Sequence, residues 1–191
     1  MTDVLLETER LMLRRFGAQD VDALVELDAD PQVMRFISDG APTSRAEICT
    51  DVLPGFLSYY EESHGHGFWA AIERSSGEFV GWFHLRPGAN APRDEPELGY
   101  RLRRAAWGRG LATEGSLALI ERAFTELGAS RVTASTLEVN RASRSVMDKA
   151  GLRLARSFNL RWPDVIDGEQ HAAVEYALTR EEWEAAHRPP A

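Results

Sequence analysis

Apolar and polar positions change period several times along this chain, and each change predicts an element. "ERLMLRRF" alternates loosely and reads as a strand, Glu9 to Phe16. From Asp20 the spacing of Val21, Leu24, Val25 and Leu27 is helical, with Asp20 as a candidate N-cap. "DPQVMRFI" predicts a second short helical piece with Pro31 near its start. A longer helix is expected from Ser44 to Glu62, kinked or broken at Pro54, which has no backbone N–H to give. "GFWAAIE" and "EFVGWFHL" are rich in aromatic and β-branched residues and flank Arg74–Ser75–Ser76–Gly77, which predicts a hairpin. In "ELGYRL", Leu98, Tyr100 and Leu102 share one face of a strand and Glu97, Gly99 and Arg101 the other.

Directly after that strand comes "AAWGRGLATEG", Ala105 to Gly115, and then a helical repeat of Leu117, Ile120, Phe124 and Leu127 that Gly128 would end. "SRVTASTLEV" predicts a strand. "NRASRSVMDKAG" predicts a short helix between Asn140 as N-cap and Gly151. "LRLARSFNLRW" and "AAVEYALT" read as closing strands, and the charged tail "REEWEAAHRPPA" begins as a helix. With no internal repeat and no linker, residues 1–191 are expected to form one mixed α/β domain.

Composition narrows the function. At 43% apolar and 27% charged the chain resembles an ordinary globular protein, and no apolar run approaches a membrane span. The N-terminus carries acidic residues and no apolar signal region. One cysteine, Cys49, excludes an internal disulfide and a cysteine-built zinc site, so a cytoplasmic location is expected. His64 and His66 lack a third ligand at metal spacing, so no metal is expected. A net charge of −8 argues against nucleic acid as a partner and suits a cationic substrate. Against that background Arg101, Arg103, Arg104 and Arg109 crowd the approach to the glycine loop, as a solvated strand end or as a patch for an anionic ligand.

A strand, a glycine loop and a helix in that order suit a phosphate compound. The helix N-terminus offers unpaired N–H groups and partial positive charge, and glycines let the backbone approach. The loop is neither a Walker loop nor a dinucleotide fingerprint, because no Gly-Lys-Ser/Thr follows and Thr113 stands where a third glycine would.

"ELGYRLRRAAWGRGLATEG" followed by a helix, a strand and "NRASRSVMDKAGL" resembles the GNAT N-acetyltransferase superfamily. The opening "ETERLMLRRFGAQDVDALVELDADPQVMRFI" is similar to its RimJ/RimL-like branch of ribosomal-protein N-terminal acetyltransferases. The resemblance runs from about Thr8 to about Leu178 and implies a mostly antiparallel sheet whose fourth and fifth strands splay apart. It implies acetyl-CoA as cosubstrate, its pyrophosphate on the backbone of Gly108, Arg109, Gly110, Leu111, Ala112 and Thr113. Trp107 occupies the position where many relatives have Gln or Arg. Arg103, Arg104 or Arg109 would meet the CoA phosphates, and Asn140 the pantetheine arm, a role that sits beside helix capping. Met147 stands where many relatives have the tyrosine that protonates the leaving thiolate, and Ser143 is the implied substitute.

The chemistry implied is direct attack of an amine on the thioester. The acceptor is a protein or peptide N-terminus or a small molecule, and the enzyme a monomer or homodimer. An α-amino group, with a pKa of about 8, is roughly one-tenth neutral at pH 7, and a lysine, at about 10.4, far less. A base is therefore needed. Glu97 is the first choice, with Glu138 and Glu175 as rivals, and a backbone N–H near Leu102 would meet the oxyanion. A non-catalytic acyl-CoA-binding module is the alternative.

Overall fold

The computed structural model describes residues 3–38, 40–62, 65–88, 91–160 and 171–188. Among the described residues eight strands form one sheet: β1 (Val4–Glu7), β2 (Leu11–Arg14), β3 (Gly67–Glu73), β4 (Phe79–Pro87), β5 (Pro96–Leu102), β6 (Arg131–Leu137), β7 (Arg153–Leu160) and β8 (His171–Thr179). Their order is β1-β2-β3-β4-β5-β6-β8-β7. Every neighbouring pair is antiparallel except β5 and β6. A parallel pair needs a crossover, and helix α5 (Leu111–Thr125) supplies it.

The sheet separates two cores. On one face Phe83, Leu85, Leu98 and Leu102 meet Leu111, Leu119, Ile120 and Phe124 of α5 and Met147 of α6 (Arg141–Lys149). On the other, Phe68, Ala70 and Trp82 meet Leu24 and Leu27 of α1 (Val21–Asp28) and Leu53 and Phe56 of α4 (Leu53–Glu62). Alternation along β4 feeds both, with Trp82 and His84 to one side and Phe83 and Leu85 to the other. Short helices α2 (Pro31–Met34), capped by the Asp30 carboxylate, and α3 (Arg45–Glu47), capped by Ser44, lie before α4, and α7 (Arg180–His187) follows β8 and starts on a Thr179–Glu182 capping box.

Several expectations are corrected. The N-terminal strand is a hairpin, since Val4–Glu7 pairs with Leu11–Arg14. Pro54 does not break its helix. The turn Ile48–Val52 before it widens to i→i+5 bonding, with the Leu53 N–H reaching the Ile48 carbonyl, and the helix continues. Asp20 occupies the N-cap position of α1 without capping it; its carboxylate accepts from Arg14 at 2.6 Å and 2.8 Å and from the Gly17 N–H at 2.8 Å. Leu117 faces solvent, while the expected Ile120 and Phe124 are buried together with Leu111, Gly115, Leu119 and Ala123.

Candidate active site

β5 and β6 touch at one parallel register pair, Glu97 opposite Thr133, and then part. The Arg103 N–H bonds the Val80 carbonyl across to β4. Backbone groups of successive strand residues point to opposite edges, so the N–H groups of Leu102 and Tyr100 point into the gap that β6 has left. A cleft of about 840 Å³ occupies this gap. Its walls include Glu97 to Leu102 of β5, Gly108, Gly110 and Leu111 to Thr113 of the loop and α5, Ser135 to Leu137 of β6, and Asn140 and Ser143 at the start of α6.

The glycine loop is held from outside the cleft. Gly108 and Gly110 have φ of +70° and +80°, the left-handed region where a side chain is strained. Arg10 donates Nη1–H to the Arg109 carbonyl at 2.7 Å and Nε–H to the Glu114 carboxylate at 2.6 Å. Glu114 also accepts from the Arg10 N–H at 2.8 Å and from the Thr8 hydroxyl at 2.5 Å. In a trans peptide the C=O and the following N–H point oppositely, so turning the Arg109 carbonyl to Arg10 turns the Gly110 N–H the other way. Helical bonding begins only with the Glu114 N–H on the Gly110 carbonyl, and no side chain caps the helix. The N–H groups of Leu111, Ala112 and Thr113 therefore have no helical acceptor, at residues that line the cleft. Free N–H groups and the positive end of the helix dipole at this point can hold an anion.

Trp107 is 46% exposed, and its Nε1–H donates to the Leu102 carbonyl at 2.9 Å. It ties the loop to the end of β5. Trp107→Phe removes that donor and is expected to cost about 1 kcal/mol in a urea titration. Trp107→Gln keeps an amide donor and is expected to cost less.

The four arginines each meet a carboxylate. Arg101 pairs with Asp28 at 2.5 Å, Arg103 with Glu26 at 2.7 Å, Arg104 with Asp30 at 3.1 Å, and Arg109 with Glu73. The Arg101–Asp28 pair is buried, lies over the Trp82 ring, and anchors the end of α1 against β5. Among the described residues the cleft cations without a carboxylate partner are Arg35 and Lys149.

Of the three glutamates, Glu97 alone lines the cleft. Burial raises its pKa above the ordinary carboxylate value, and the charge of Glu175 adds to the rise; the Arg86 guanidinium and a hydrogen bond with Ser135 pull against it. Glu175 is buried and held by Arg131 at 3.1 Å and Arg156 at 2.6 Å, beside a separate cavity of about 440 Å³. Glu138 is exposed past the end of β6.

Sequence reasoning missed His84. Its ring packs against Phe68 and Trp82 and lies over the backbone of Gly99, where an added Cβ would come within 2.1 Å of Nε2. Gly99 is the one signal the sequence held, and it is readable only once the register opposes the two residues. Burial holds the His84 pKa down to about 3, helped by Arg86 and opposed by a hydrogen bond to the Glu97 backbone, so the imidazole is neutral at pH 7.

At the start of α6, the Asn140 side-chain oxygen accepts from the Ser143 N–H at 3.2 Å and its amide donates to Thr136 Oγ1 at 3.1 Å. Asn140 therefore caps the helix at the wall of the cleft. The Ser143 hydroxyl is 3.0 Å from the Tyr100 hydroxyl. Met147, one turn on, is buried. Among the aromatics nearby, Trp82 lines the cleft, while Tyr60 accepts the Phe16 N–H at 2.9 Å and Trp69 is buried. Among the described residues no three ligating side chains converge on a metal position; His64 lies outside the described residues.

A splayed sheet, the uncapped N-terminus of α5 and the half-buried carboxylate of Glu97 meet in one cleft. The acetyltransferase (GNAT) domain family matches residues 10–153, and the chain belongs to that family. It is 32% identical over 199 residues to FsC-acetyl coenzyme A-N(2)-transacetylase of Aspergillus fumigatus, covering 96% of this chain and 80% of the relative. The crystal structure of a GNAT-family acetyltransferase from Bacillus anthracis superimposes with a TM-score of 0.76 at 22% identity, over 93% of this chain and 99% of the other. RimL, the ribosomal L7/L12 α-N-protein acetyltransferase solved with coenzyme A, superimposes with a TM-score of 0.75 at 18% identity, over 94% and 99% of the two chains. The protein is an N-acetyltransferase, and the family's cosubstrate is acetyl-CoA. Among the described residues no helix is long and apolar enough to cross a membrane.

Proposed function

We propose that the protein transfers the acetyl group of acetyl-CoA directly to a primary amine, on a peptide N-terminus or a small molecule, with Glu97 as the base. The reading rests on one observation: the uncapped N-terminus of α5 and half-buried Glu97 open into the same cleft. Acetyl-CoA supplies an activated thioester. The Gly108–Thr113 backbone would hold its pyrophosphate, Lys149, Arg103 or Arg109 would meet its phosphates, and Asn140 would meet the pantetheine arm. Released from their carboxylates, Arg103 and Arg109 are exposed enough to swing outward. The Leu102 N–H would take the oxyanion and Ser143 would donate to the leaving sulfur.

Glu97 receives the amine's proton, directly or through one water. Its raised pKa makes it a better base than a solvated carboxylate. The α-amine of an N-terminus is favoured over a lysine, because more of it is neutral at pH 7. The name of the N(2)-transacetylase relative supports a nitrogen acceptor. The opening stretch, residues 7–37, supports the RimJ/RimL-like branch, and the lone cysteine a cytoplasmic setting.

Thiol release from acetyl-CoA, followed over a panel of peptides, amino acids and polyamines, tests the acceptor class. Turnover confined to O- or S-acceptors would sink it. Acetyl-CoA at a hundredfold its Kd is expected to stabilise the fold by about 2.7 kcal/mol, read as a rise in melting temperature. An unmoved melting curve would remove acetyl-CoA from the cleft.

A further inference from the structure

The acid usually sought in this chemistry would sit on α6, where this chain has buried Met147. A phenol reaches the first turn of α6 from the opposite wall. Tyr100 projects from β5 onto the α5 and α6 side of the sheet, with its ring against Phe83 at 5.9 Å between centroids. Its hydroxyl is 3.0 Å from Ser143 Oγ and 3.2 Å from the Ser143 carbonyl. Tyr100 and Ser143 both line the cleft. These two hydroxyls bridge the splay between β5 and α6, and nothing in the reaction described above uses the phenol.

We propose that Tyr100 is a positioning residue for acetyl transfer: its O–H donates to Ser143 Oγ and so directs the serine proton at the departing CoA sulfur. The proposal rests on the reading of this cleft as the acetyl-CoA site.

The phenol has one proton and two acceptors within reach. The Ser143 carbonyl lies within α6, where the helix ladder already supplies it with a donor, so the phenolic proton can leave it at little cost. Donated to Ser143 Oγ instead, it frees the serine O–H to turn toward sulfur, and two linked hydroxyls then share the developing charge. Neither gives up its proton. Burial pushes the Tyr100 pKa up to about 12, well above an ordinary thiol at about 8.5, and a serine is a weaker acid still. The balance closes without them. The C–N bond forms and the C–S bond breaks, with the electron pair leaving on sulfur. The amine proton goes to Glu97. Solvent then takes that proton and gives one to the thiolate.

The test needs no acceptor. Bound CoA is titrated by the ultraviolet absorbance of its thiolate, in the wild type, Tyr100→Phe, Ser143→Ala and the double variant. Desulfo-CoA, which lacks the sulfur, is titrated beside it to report that each variant holds the rest of the molecule. Hydrogen bonds to the charged form lower a pKa. The wild type is therefore expected to bring the bound thiol about one unit below free CoA. Tyr100→Phe and Ser143→Ala should each return it to the free value, and the double variant should move it no further. Phenylalanine keeps the ring on Phe83, so a purely structural Tyr100 would leave the thiol pKa where the wild type has it. That result, or a shift on Ser143→Ala alone, overturns the proposal. Failure of the wild type to bind desulfo-CoA would overturn the cleft assignment beneath it.

Discussion

Replacing Gly110 by valine is expected to cut acetyl-CoA affinity by at least about a hundredfold while leaving a folded protein. Gly110 has φ of +80°, and a branched residue there costs on the order of 1–3 kcal/mol. Space is not the obstacle, since an added Cβ would meet only the tip of Arg10, at 3.4 Å. The strain instead drives the loop out of the left-handed region, and the Gly110 and Leu111 N–H groups turn with it. Hydrogen bonds to a charged group are worth about 1.5–3 kcal/mol each, and 1.4 kcal/mol is tenfold in binding, so two lost donors account for the effect. Isothermal titration with acetyl-CoA measures it, and a melting curve reports the cost to the fold. A folded Gly110→Val protein with normal affinity would reduce the loop to a structural turn.

That loop was legible in the sequence because its information is local. Two glycines one residue apart, placed between a strand and a helix, mark a tight turn that leaves the helix N-terminus uncapped. The hairpin of β3 and β4, the alternation of β5 and the capping of α6 are legible for the same reason. Other features depend on residues far apart in the chain. Arg10 clamps a carbonyl and a glutamate about a hundred residues away. Arg101 joins Asp28 across 73 positions. Read as a run of like charges, Arg101, Arg103, Arg104 and Arg109 suggested either a solvated strand end or a patch for an anionic ligand. In the fold each meets an acid supplied by α1, the turn after it, or β3.

Topology was hidden in the same way. β8 inserts between β6 and β7, and nothing in "AAVEYALT" marks it as the inner strand except its apolar density. Val4–Glu7 is half exposed at the sheet edge and carries little periodicity. Pro54 was read as a kink or a break because the sequence records its missing N–H but not the wider turn before it that absorbs the loss. Within the site, Glu97 was recognisable as a strand glutamate entering the loop, whereas the buried His84 of β4, opposite Gly99 and bonded to the Glu97 backbone, required the register.

Glu97→Gln is expected to lower kcat/KM by about 10²–10⁴, the range of general base catalysis, with acetyl-CoA affinity unchanged. Glutamine keeps the shape and the contact with Ser135 but accepts no proton. The pH dependence carries the same assignment. Burial raises the Glu97 pKa, so wild-type activity should climb with pH through a midpoint above the ordinary carboxylate range. That limb should vanish in the residual activity of the variant.

Stability should move the other way. The fold binds the Glu97 proton more tightly than the unfolded chain does, so between the two pKa values the native state carries more protons. The contribution of this group to stability is then present at low pH and lost as pH rises through the folded pKa. Above it the charged carboxylate is held at a cost that glutamine does not bear. Glu97→Gln should therefore melt at the same temperature as the wild type or higher near pH 7, and lose that advantage in acid. A slow enzyme with equal or better stability is the signature of a group kept for chemistry. A variant that is both fast and more stable would return Glu97 to an ordinary strand residue and send the search for the base to a water held elsewhere in the cleft.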